Sequence, residues 1–246
     1  MEIRFDGKVA LVTGAGKGIG RDITIKLAEC GAEVIAISRT QSDLDELAEI
    51  CPNIRPVCLD VGDWEQTKAV ISELGPVDLL VNNAAIGKGQ PLGEVDEEFI
   101  NSLLDVNFKS IVNISQEVFK GMKEKGKGGS IVNISSLSSI RGFPNYGVYG
   151  ATKAATDSLT RNMAVEFGPY GVRVNSVNPT FVRTKMAEEL LNSGDPLITA
   201  MKERAPLRRF DEVEDVSYPV LFLLSDKAAM ISGLSIPIDG GFSVTF

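Results

Sequence analysis

The hydrophobic and polar positions of the chain follow two alternating patterns. Short runs of apolar, often β-branched residues are typical of buried β-strands, whereas apolar residues that recur every three or four positions indicate helices. The runs predict strands at Lys8–Thr13, Glu33–Ser38, Asn53–Leu59, Asp78–Val81, Ser130–Ile134, Val172–Val177 and Ser235–Ile238. The periodic stretches predict a helix with Ile19, Ile23 and Leu27 on one face, a polar helix from about Ser42, and helices at Asp63–Leu74, Phe99–Lys125 and Tyr149–Phe167.

Apolar strands that are separated by helices predict a parallel sheet with helices on both faces. No linker or internal repeat divides the sequence, so we expect one doubly wound α/β domain over residues 1–246. The segment Thr184–Arg209 departs from the pattern because it is helix-like, rich in charge and methionine, and interrupted at Gly194–Pro196. It predicts either a substrate lid or a helical excursion on the surface, and the sequence does not decide between them.

The composition limits the chemistry that the chain can perform. Of its 246 residues, 43% are hydrophobic and 24% are charged, as in an ordinary soluble domain. The net charge of −8 argues against nucleic acid as a partner, because binding phosphates needs clustered basic side chains. The chain has no histidine. This excludes a Ser-His-Asp triad, a Cys-His pair and a histidine-based zinc site, and we predict no metal site.

Cysteine usage and the apolar runs bear on location. Cys30, Cys51 and Cys58 are odd in number and lack C-x-x-C spacing, so we expect reduced thiols rather than disulfides. The first residues carry a charge every few positions instead of an apolar signal core. Runs such as Val220–Leu224 fall far short of the roughly 18 apolar residues of a membrane span. We therefore expect a soluble cytoplasmic protein without a membrane partner.

A glycine-rich turn follows the first predicted strand. It contains Gly14, Gly16, Lys17, Gly18, Ile19 and Gly20. Glycines let the backbone approach a pyrophosphate closely, and the following helix N-terminus offers free N–H groups to an anion. An ordinary tight turn between a strand and a helix also uses glycines. The position of this turn at the start of a βαβ unit predicts a dinucleotide site of the Rossmann type.

The end of the second predicted strand bears on which dinucleotide binds. An Asp or Glu here would bind the ribose hydroxyls of NAD, but the residues are Ser38, Arg39 and Thr40, with no carboxylate before Asp43. A guanidinium suits a 2′-phosphate, and Lys17 would supply a second cation. We therefore predict NADP(H) as the cofactor. The alternative is that Arg39 is a solvated residue at the strand end.

With this turn and five further motifs the chain resembles the short-chain dehydrogenase/reductase family from Gly7 to Gly241. The motifs are TGAGKGIG at Thr13–Gly20, NNAA at Asn82–Ala85, Asn107, Ser136, YGATK at Tyr149–Lys153 and NPT at Asn178–Thr180. Within the family the chain is most similar to the L-xylulose/dicarbonyl reductases. The NNAA and NPT motifs replace the commoner NNAG and NPG, and we expect altered packing from these small changes rather than lost binding.

The resemblance implies further cofactor contacts and an assembly. Asp60 and Val61 would border the adenine. Asn83 and Ala84 would support the cofactor, and Val182 and Thr184 would hold its nicotinamide end. Tyr149 and Lys153 would also contact the cofactor, Lys153 at the nicotinamide ribose. The resemblance further implies a homotetramer.

The predicted reaction centre rests on Tyr149 and Lys153, which lie four positions apart on one helix face. The ordinary pKa of a phenol, about 10, is too high for easy proton exchange at neutral pH. The Lys153 ammonium, with the charge of an oxidised nicotinamide, would lower the pKa of Tyr149, although such pairs also occur on ordinary helix surfaces. Ser136 lies 13 residues before Tyr149, at the family's spacing, and would hold a carbonyl oxygen. By resemblance, Asn107 would complete a proton relay with Lys153.

Together these features predict an NADPH-dependent carbonyl reductase in which these four side chains are catalytic. By resemblance the substrate is L-xylulose, which is reduced to xylitol, or a small α-dicarbonyl. The residues expected to contact substrate are Ser136, Leu137, Phe143, Tyr146 and Tyr149. The alternatives are an acyl-thioester ketoreductase or a steroid or alcohol dehydrogenase of the same family, or a non-catalytic NADP-binding sensor or scaffold.

Overall fold

The computed structural model describes residues 2–184, 187, 191 and 196–245. Its strands are β1 (Val9–Thr13), β2 (Glu33–Ser38), β3 (Ile54–Cys58), β4 (Leu79–Asn82), β5 (Gly129–Ile134), β6 (Val172–Pro179) and β7 (Ser235–Ile238). They form one parallel sheet in the order β3-β2-β1-β4-β5-β6-β7. The predicted parallel α/β sheet is confirmed.

Helices cover both faces of the sheet. In the described residues they are α1 (Gly18–Glu29), α2 (Gln41–Ile50), α3 (Trp64–Glu73), α4 (Glu97–Leu104), α5 (Ser110–Lys125), α6 (Gly147–Phe167), α7 (Pro196–Arg204) and α8 (Val213–Leu224). Asp63 and Asp96 begin α3 and α4 by accepting hydrogen bonds from backbone N–H groups of the first turn, at 2.9 and 2.8 Å. None of these helices combines the length and apolar character that crossing a membrane requires.

Two helical regions differ from the sequence-based expectation. The predicted helix Phe99–Lys125 is α4 and α5 joined by a π-helical turn, Asp105–Lys109. Helix α8 was not predicted, since it contains Pro219, which removes a backbone hydrogen bond. A capping box between Glu212 and Asp215 begins α8 and offsets part of that loss.

Two apolar layers enclose the sheet. On one face, Ala10 and Val12 of β1 pack with the buried sides of α1 and α8. On the other, Leu11 and Leu80 pack with α3, α5 and α6. Strands β1 and β4 are therefore buried on both faces, which explains their nearly continuous apolar sequences.

The order of the strands reverses at β1. Strands β2 and β3 follow on one side of β1, and strands β4 to β7 follow on the other. Ligands of doubly wound sheets bind in the crevice at the carboxyl ends of strands beside such a reversal. Val12 pairs with Val81, so the glycine-rich turn after β1 and Asn83 after β4 lie at the same edge. This edge holds the candidate site.

The predicted lid, Thr184–Arg209, is described only in part. Residues 185–186, 188–190 and 192–195 of this segment lie outside the described residues. Among the described ones, Leu191 and Ile198 are buried in a small apolar cluster with Phe210, which follows the segment. Whether the segment acts as a lid stays a prediction.

Candidate active site

The turn between β1 and α1 is a narrow cradle of backbone. Gly14 and Gly18 have φ values of +64° and +55°, a conformation that favours glycine. A Cβ on Gly20 would lie 2.3 Å from the Gly14 carbonyl oxygen and 2.4 Å from the side-chain nitrogen of Asn83. Within the described chain, no side chain caps the first turn of α1. The turn therefore excludes side chains, while the helix N-terminus can accept an anion.

Thr13 and Asn83 brace this turn. The Asn83 amide donates to the carbonyl oxygens of Thr13 and Gly14, at 2.9 and 3.1 Å. The buried Thr13 hydroxyl accepts hydrogen bonds from the backbone N–H groups of Asn83 and Ala84, each at 3.0 Å. Asn83 thus supports the site by holding its backbone, and a direct contact of Asn83 or Ala84 with a cofactor stays a prediction.

The end of β2 packs against the same turn. A Cβ on Gly16 would lie 2.7 Å from the Ser38 hydroxyl oxygen, and that oxygen accepts a hydrogen bond from the Thr40 N–H at 3.4 Å. Val61, beyond β3, is buried in the apolar layer behind this edge. The structure therefore brings Ser38 to the turn, joins Thr40 to Ser38, and places the Val61 side chain in the core.

Two cations of the predicted 2′-phosphate site lie near carboxylates. Arg39 lies 3.8 Å from Asp60, and Lys17 lies 3.4 Å from Asp43. The side chains of Arg39 and Lys17 are 64% and 69% exposed, so these ion pairs are weak and screened. Both cations can therefore turn towards an incoming dianion.

Ser136, Tyr149 and Lys153 meet beyond the carboxyl end of β5. Ser136 accepts a hydrogen bond from the Ser138 N–H at 3.1 Å and begins a short 3-10 turn. The side chains of Ser136 and Tyr149 line the same cavity. The Lys153 ammonium lies 5.6 Å from the centre of the Tyr149 ring and donates to the Ile134 carbonyl at 2.8 Å. Three of the four predicted catalytic side chains thus form one cluster.

Burial sets the charges of this cluster. It lowers the pKa of Lys153 to about 8, and the Asp157 carboxylate opposes the fall. Burial also raises the pKa of Tyr149, and the neighbouring Ser136 hydroxyl opposes the rise. In the protein alone, desolvation of the phenolate therefore outweighs the other effects on the pKa of Tyr149. The prediction that Lys153 lowers this pKa together with the charge of an oxidised nicotinamide stays a prediction.

Asn107 is buried in the π-helical turn. Its side chain accepts a hydrogen bond from the Ile86 N–H at 2.7 Å and donates to the Ile86 carbonyl at 3.0 Å. It also donates to the Thr152 hydroxyl at 3.3 Å. Asn107 therefore ties the segment after β4 to α6. In the described chain its side-chain hydrogen bonds do not reach Lys153, so the relay stays a prediction.

A cavity of about 320 Å³ opens above Tyr149. Its walls include Ile19, Val182 and Thr184 of the predicted cofactor set, and all five predicted substrate residues. Leu137 belongs to this wall, but its side chain is only 1% exposed and packs with Ala205 and Phe242. No group of three or more acidic or cysteine side chains in the described chain is placed to hold a metal ion.

The chain has relatives that match its full length. Residues 14–243 match the family model of enoyl-(acyl carrier protein) reductase. The chain is 50% identical to L-xylulose reductase from Bos taurus over 246 residues, 100% of both chains. It is 49% identical to carbonyl reductase (NADPH) 2 from Sus scrofa over 243 residues, 98% of this chain and 99% of the relative. The chain belongs to the short-chain dehydrogenase/reductase family.

A solved structure gives the structural comparison. It is a gluconate 5-dehydrogenase from Burkholderia cenocepacia J2315 in complex with NADP and tartrate. The two chains share 30% sequence identity and a TM-score of 0.92, with 100% of this chain and 98% of the other covered. The family's Rossmann-type fold therefore extends over the whole chain.

In this short-chain dehydrogenase/reductase, the sequence-based prediction missed the buried Asp157. Its carboxylate accepts hydrogen bonds from the Ser176 hydroxyl at 2.9 Å and the Asn178 amide at 2.8 Å. Asn178 in turn donates to the Ser136 carbonyl oxygen at 3.2 Å. Asp157 therefore supports both the turn that carries Ser136 and the charge of Lys153. An acidic residue four positions after Lys153 was the signal that could have found it.

The two departures from the family's motifs have different outcomes. Ala85, which replaces glycine in NNAA, is exposed, so its methyl group disturbs no packing in the core. Thr180, which replaces glycine in NPT, gains a partner. Its N–H and its hydroxyl both donate to the same carboxylate oxygen of Asp211, each at 3.1 Å. The expected change in packing thus occurs at Thr180.

Proposed function

We propose that the chain is an NADPH-dependent carbonyl reductase that reduces L-xylulose to xylitol, small α-dicarbonyls, or both. The observation that carries this proposal is the cluster of Ser136, Tyr149 and Lys153, beside a cavity that also reaches the glycine-rich turn. Full-length relatives named L-xylulose reductase and carbonyl reductase (NADPH) 2, at about half identity, support it.

The residues of the crevice fit a dinucleotide. The cradle that a Cβ on Gly14 or Gly20 would fill can admit a pyrophosphate next to the uncapped start of α1. The residues that would hold NADP(H) are Gly14, Gly16, Lys17, Gly18, Ile19, Gly20, Ser38, Arg39, Thr40, Asp60, Val61, Asn83, Ala84, Tyr149, Lys153, Val182 and Thr184. When bound, NADPH supplies the hydride.

The protein's own residues orient the carbonyl group and supply the proton. The Ser136 hydroxyl donates to the carbonyl oxygen and holds it beside Tyr149. As hydride adds to the carbon, Tyr149 gives its phenolic proton to the oxygen, and the product is an alcohol. The raised pKa of Tyr149 keeps the phenol protonated at neutral pH, as a proton donor requires. Lys153 stabilises the phenolate, and Asn107 carries the replacement proton onward.

The cavity suits a small carbonyl compound. Its wall near Tyr149 carries the aromatic side chains of Phe143, Tyr146 and Phe181. Burying a sugar hydroxyl without a partner costs roughly 1–3 kcal/mol, which is about ten- to a hundredfold in specificity. We therefore propose that diacetyl has a higher kcat/KM than L-xylulose, although both are reduced. Because Leu137 packs into the core, this ranking rests on the aromatic wall.

The decisive experiment measures NADPH consumption with four substrates: L-xylulose, diacetyl, an acetoacetyl thioester and a steroid ketone. Turnover of the first two supports the proposal. A preference for the thioester or the steroid assigns one of the related dehydrogenase activities instead. NADP⁺ binding without any turnover indicates a non-catalytic sensor. A kcat/KM for L-xylulose tenfold above that for diacetyl contradicts the proposed ranking.

We also propose a homotetramer in the cytoplasm. Exposed apolar side chains available for assembly lie near the end of α6, at Val165 and Tyr170, and near β7, at Leu234. Cys30, Cys51 and Cys58 are free thiols, which suits a reducing compartment. Light scattering of the purified protein tests the tetramer, and fractionation of the source cells tests the location.

We further propose that residues 1–246 form one domain in which Thr184–Arg209 acts as a substrate lid. Thr184 and Ala187 support this, because both line the cavity. Limited proteolysis provides the test. NADPH with a substrate analogue should protect the segment from cleavage if it closes, whereas an unchanged cleavage rate favours a helical excursion on the surface.

A further inference from the structure

One wall of the cavity is formed by the residues that follow β6, and we call it the Thr180–Thr184 wall. Thr180, Phe181, Val182 and Thr184 all line the cavity. Thr184 also reaches the glycine-rich turn, since a Cβ on Gly18 would lie 3.0 Å from its methyl carbon. The wall therefore borders the space proposed for the cofactor as well as that for the substrate.

Asp211 fastens this wall from behind. One oxygen of its carboxylate accepts hydrogen bonds from both the N–H and the hydroxyl of Thr180, each at 3.1 Å. The backbones are joined as well, because the Asp211 N–H donates to the Phe181 carbonyl at 3.1 Å and the Arg183 N–H donates to the Asp211 carbonyl at 2.8 Å. Asp211 is 5% exposed and does not line the cavity. Its carboxylate therefore acts on the cavity through Thr180.

The charged groups around Asp211 are engaged elsewhere. On the same segment and on α8, Arg209 pairs with Asp215. On the wall, Arg183 pairs with Glu212 at 3.3 Å. In the described chain Asp211 forms no ion pair of its own, and its carboxylate depends on the two hydrogen bonds from Thr180.

We propose that Asp211 is a positioning residue: acting through Thr180, its carboxylate holds the Thr180–Thr184 wall where cofactor and substrate require it. The proposal rests on the proposed function for the identity of these ligands. It also accounts for the threonine in the NPT motif, because a glycine there would supply only one of the two hydrogen bonds. A carboxylate accepts such bonds about twice as strongly as a neutral acid.

We call the two hydrogen bonds from Thr180 to the Asp211 carboxylate the clamp, and we expect it to depend on pH. Burial raises the pKa of Asp211 to about 6, and the hydrogen bonds from Thr180 oppose the rise. Asp239, beyond β7, accepts hydrogen bonds from N–H groups of its own turn and does not compete for Thr180. The carboxylate is thus present at pH 7.5 and is lost as the pH falls through about 6. Because the raised pKa favours the neutral acid, the ionised form makes the fold less stable.

The sharpest test is Asp211→Asn, which keeps the shape of the side chain and removes its charge. We expect NADP⁺ to bind about fivefold more weakly at pH 7.5, which corresponds to about 1 kcal/mol. At pH 5.5, where wild-type Asp211 is mostly protonated, the two affinities should converge. The titration of the cofactor's own phosphate changes the affinity of wild type and Asp211→Asn alike, so the ratio of the two affinities at each pH is free of it. Calorimetry measures both affinities.

A matched control and a stability measurement separate positioning from a structural role. Asp215→Asn removes a neighbouring charge without touching Thr180, and NADP⁺ should bind to it as to wild type. Asp211→Asn should unfold at the same temperature as wild type at pH 7.5, or at a higher one, because it removes a buried charge. A lower unfolding temperature together with weaker binding indicates general structural damage and overturns the proposal.

Hydrogen exchange tests the clamp independently of the cofactor. In the protein without ligand, the amides of residues 180–184 should exchange faster in Asp211→Asn than in wild type at pH 7.5, with Thr180→Val in between. Wild-type exchange rates and wild-type NADP⁺ affinity in Asp211→Asn overturn the clamp and leave the proposed function standing. If wild type neither binds NADP⁺ nor reduces a carbonyl, the proposed function fails, and exchange alone then decides whether Asp211 fastens the wall.

Discussion

The two ends of the crevice are built in opposite ways. At the glycine-rich turn the backbone is held by neutral hydrogen bonds with the side chains of Thr13 and Asn83, and the charged Lys17 is largely exposed. At the other end Lys153, Asp157 and Asp211 are at most 5% exposed. Burial lowers the pKa of Lys153 and raises the pKa of Asp211, so it favours the neutral form of both groups. The first end therefore stabilises the fold, whereas the buried charges at the second end lower its stability.

The largest expected effect lies at the charged end. Tyr149→Phe removes the proton donor and keeps the ring, so kcat should fall by about a hundredfold to ten-thousandfold. NADP⁺ binding should remain close to that of wild type, because the cradle at the glycine-rich turn is untouched. Steady-state rates and calorimetry check both. Equal rates for the variant and wild type remove Tyr149 from the mechanism.

Lys153→Met tests whether the buried ammonium lowers the stability of the fold. The pKa of Lys153 is about 8 in the folded protein against 10.5 ordinarily, so between these values the unfolded chain binds more protons. Lys153 alone should therefore add about 3 kcal/mol to wild-type stability as pH increases from 7.5 to 10.5, and this contribution should be missing in Lys153→Met. Urea unfolding at both pH values measures it, and parallel pH dependences contradict it. The variant should also lose turnover.

Gly20→Ala tests the neutral end, where we expect the substitution to lower the stability of the fold. A Cβ there collides with the Gly14 carbonyl oxygen and the Asn83 amide, so we expect a loss of about 1–3 kcal/mol in the free energy of unfolding, together with loss of NADP⁺ binding. Gly121→Ala in α5 is the control. Its Cβ would meet only the Cα of Pro76, at 3.6 Å, and it should stabilise the protein by up to about 1 kcal/mol. Equal unfolding midpoints for both variants argue against a tight cradle.

Arg39→Asp should have the smallest effect, because the Arg39 side chain is largely exposed and screened. We expect the NADPH/NADH ratio of kcat/KM to fall about tenfold or more and to reverse, since the change removes a phosphate partner and adds an acceptor for ribose hydroxyls. Arg39→Ala provides the intermediate case. If its ratio equals that of wild type, the phosphate is held elsewhere, and Lys17 is the first candidate.

The neutral end and the sheet could be predicted from the sequence because their signals are local. The central strands are short apolar runs, and the composition between β1 and α1 identifies the glycine-rich turn. Ser136, Tyr149 and Lys153 follow from one spacing in one helix and the turn before it. The choice of Ser136 among the neighbouring serines rested on the family's spacing rather than on a local signal.

The charged end was less predictable because its partners are distant in sequence. Asp211 and Thr180 lie 31 residues apart, with the predicted lid between them. Neither residue belongs to a periodic pattern that would point to their contact. The pKa of Tyr149 depends on burial, which the spacing of Tyr149 and Lys153 does not reveal. Helix α8 was not predicted because Pro219 is unfavourable locally, and its cost is offset by the capping box and by the apolar packing of the helix.

The π-helical turn between α4 and α5 has a consequence for insertions and deletions. A π turn holds one residue more than an α turn, and each residue rotates a helix by about 100°. Leu103 of α4 and Ile114 of α5 are both buried, so the extra residue lets each helix face the core. Deleting one residue here would turn one of these faces towards solvent. The length of this segment is thus constrained as strictly as the identity of Asn107.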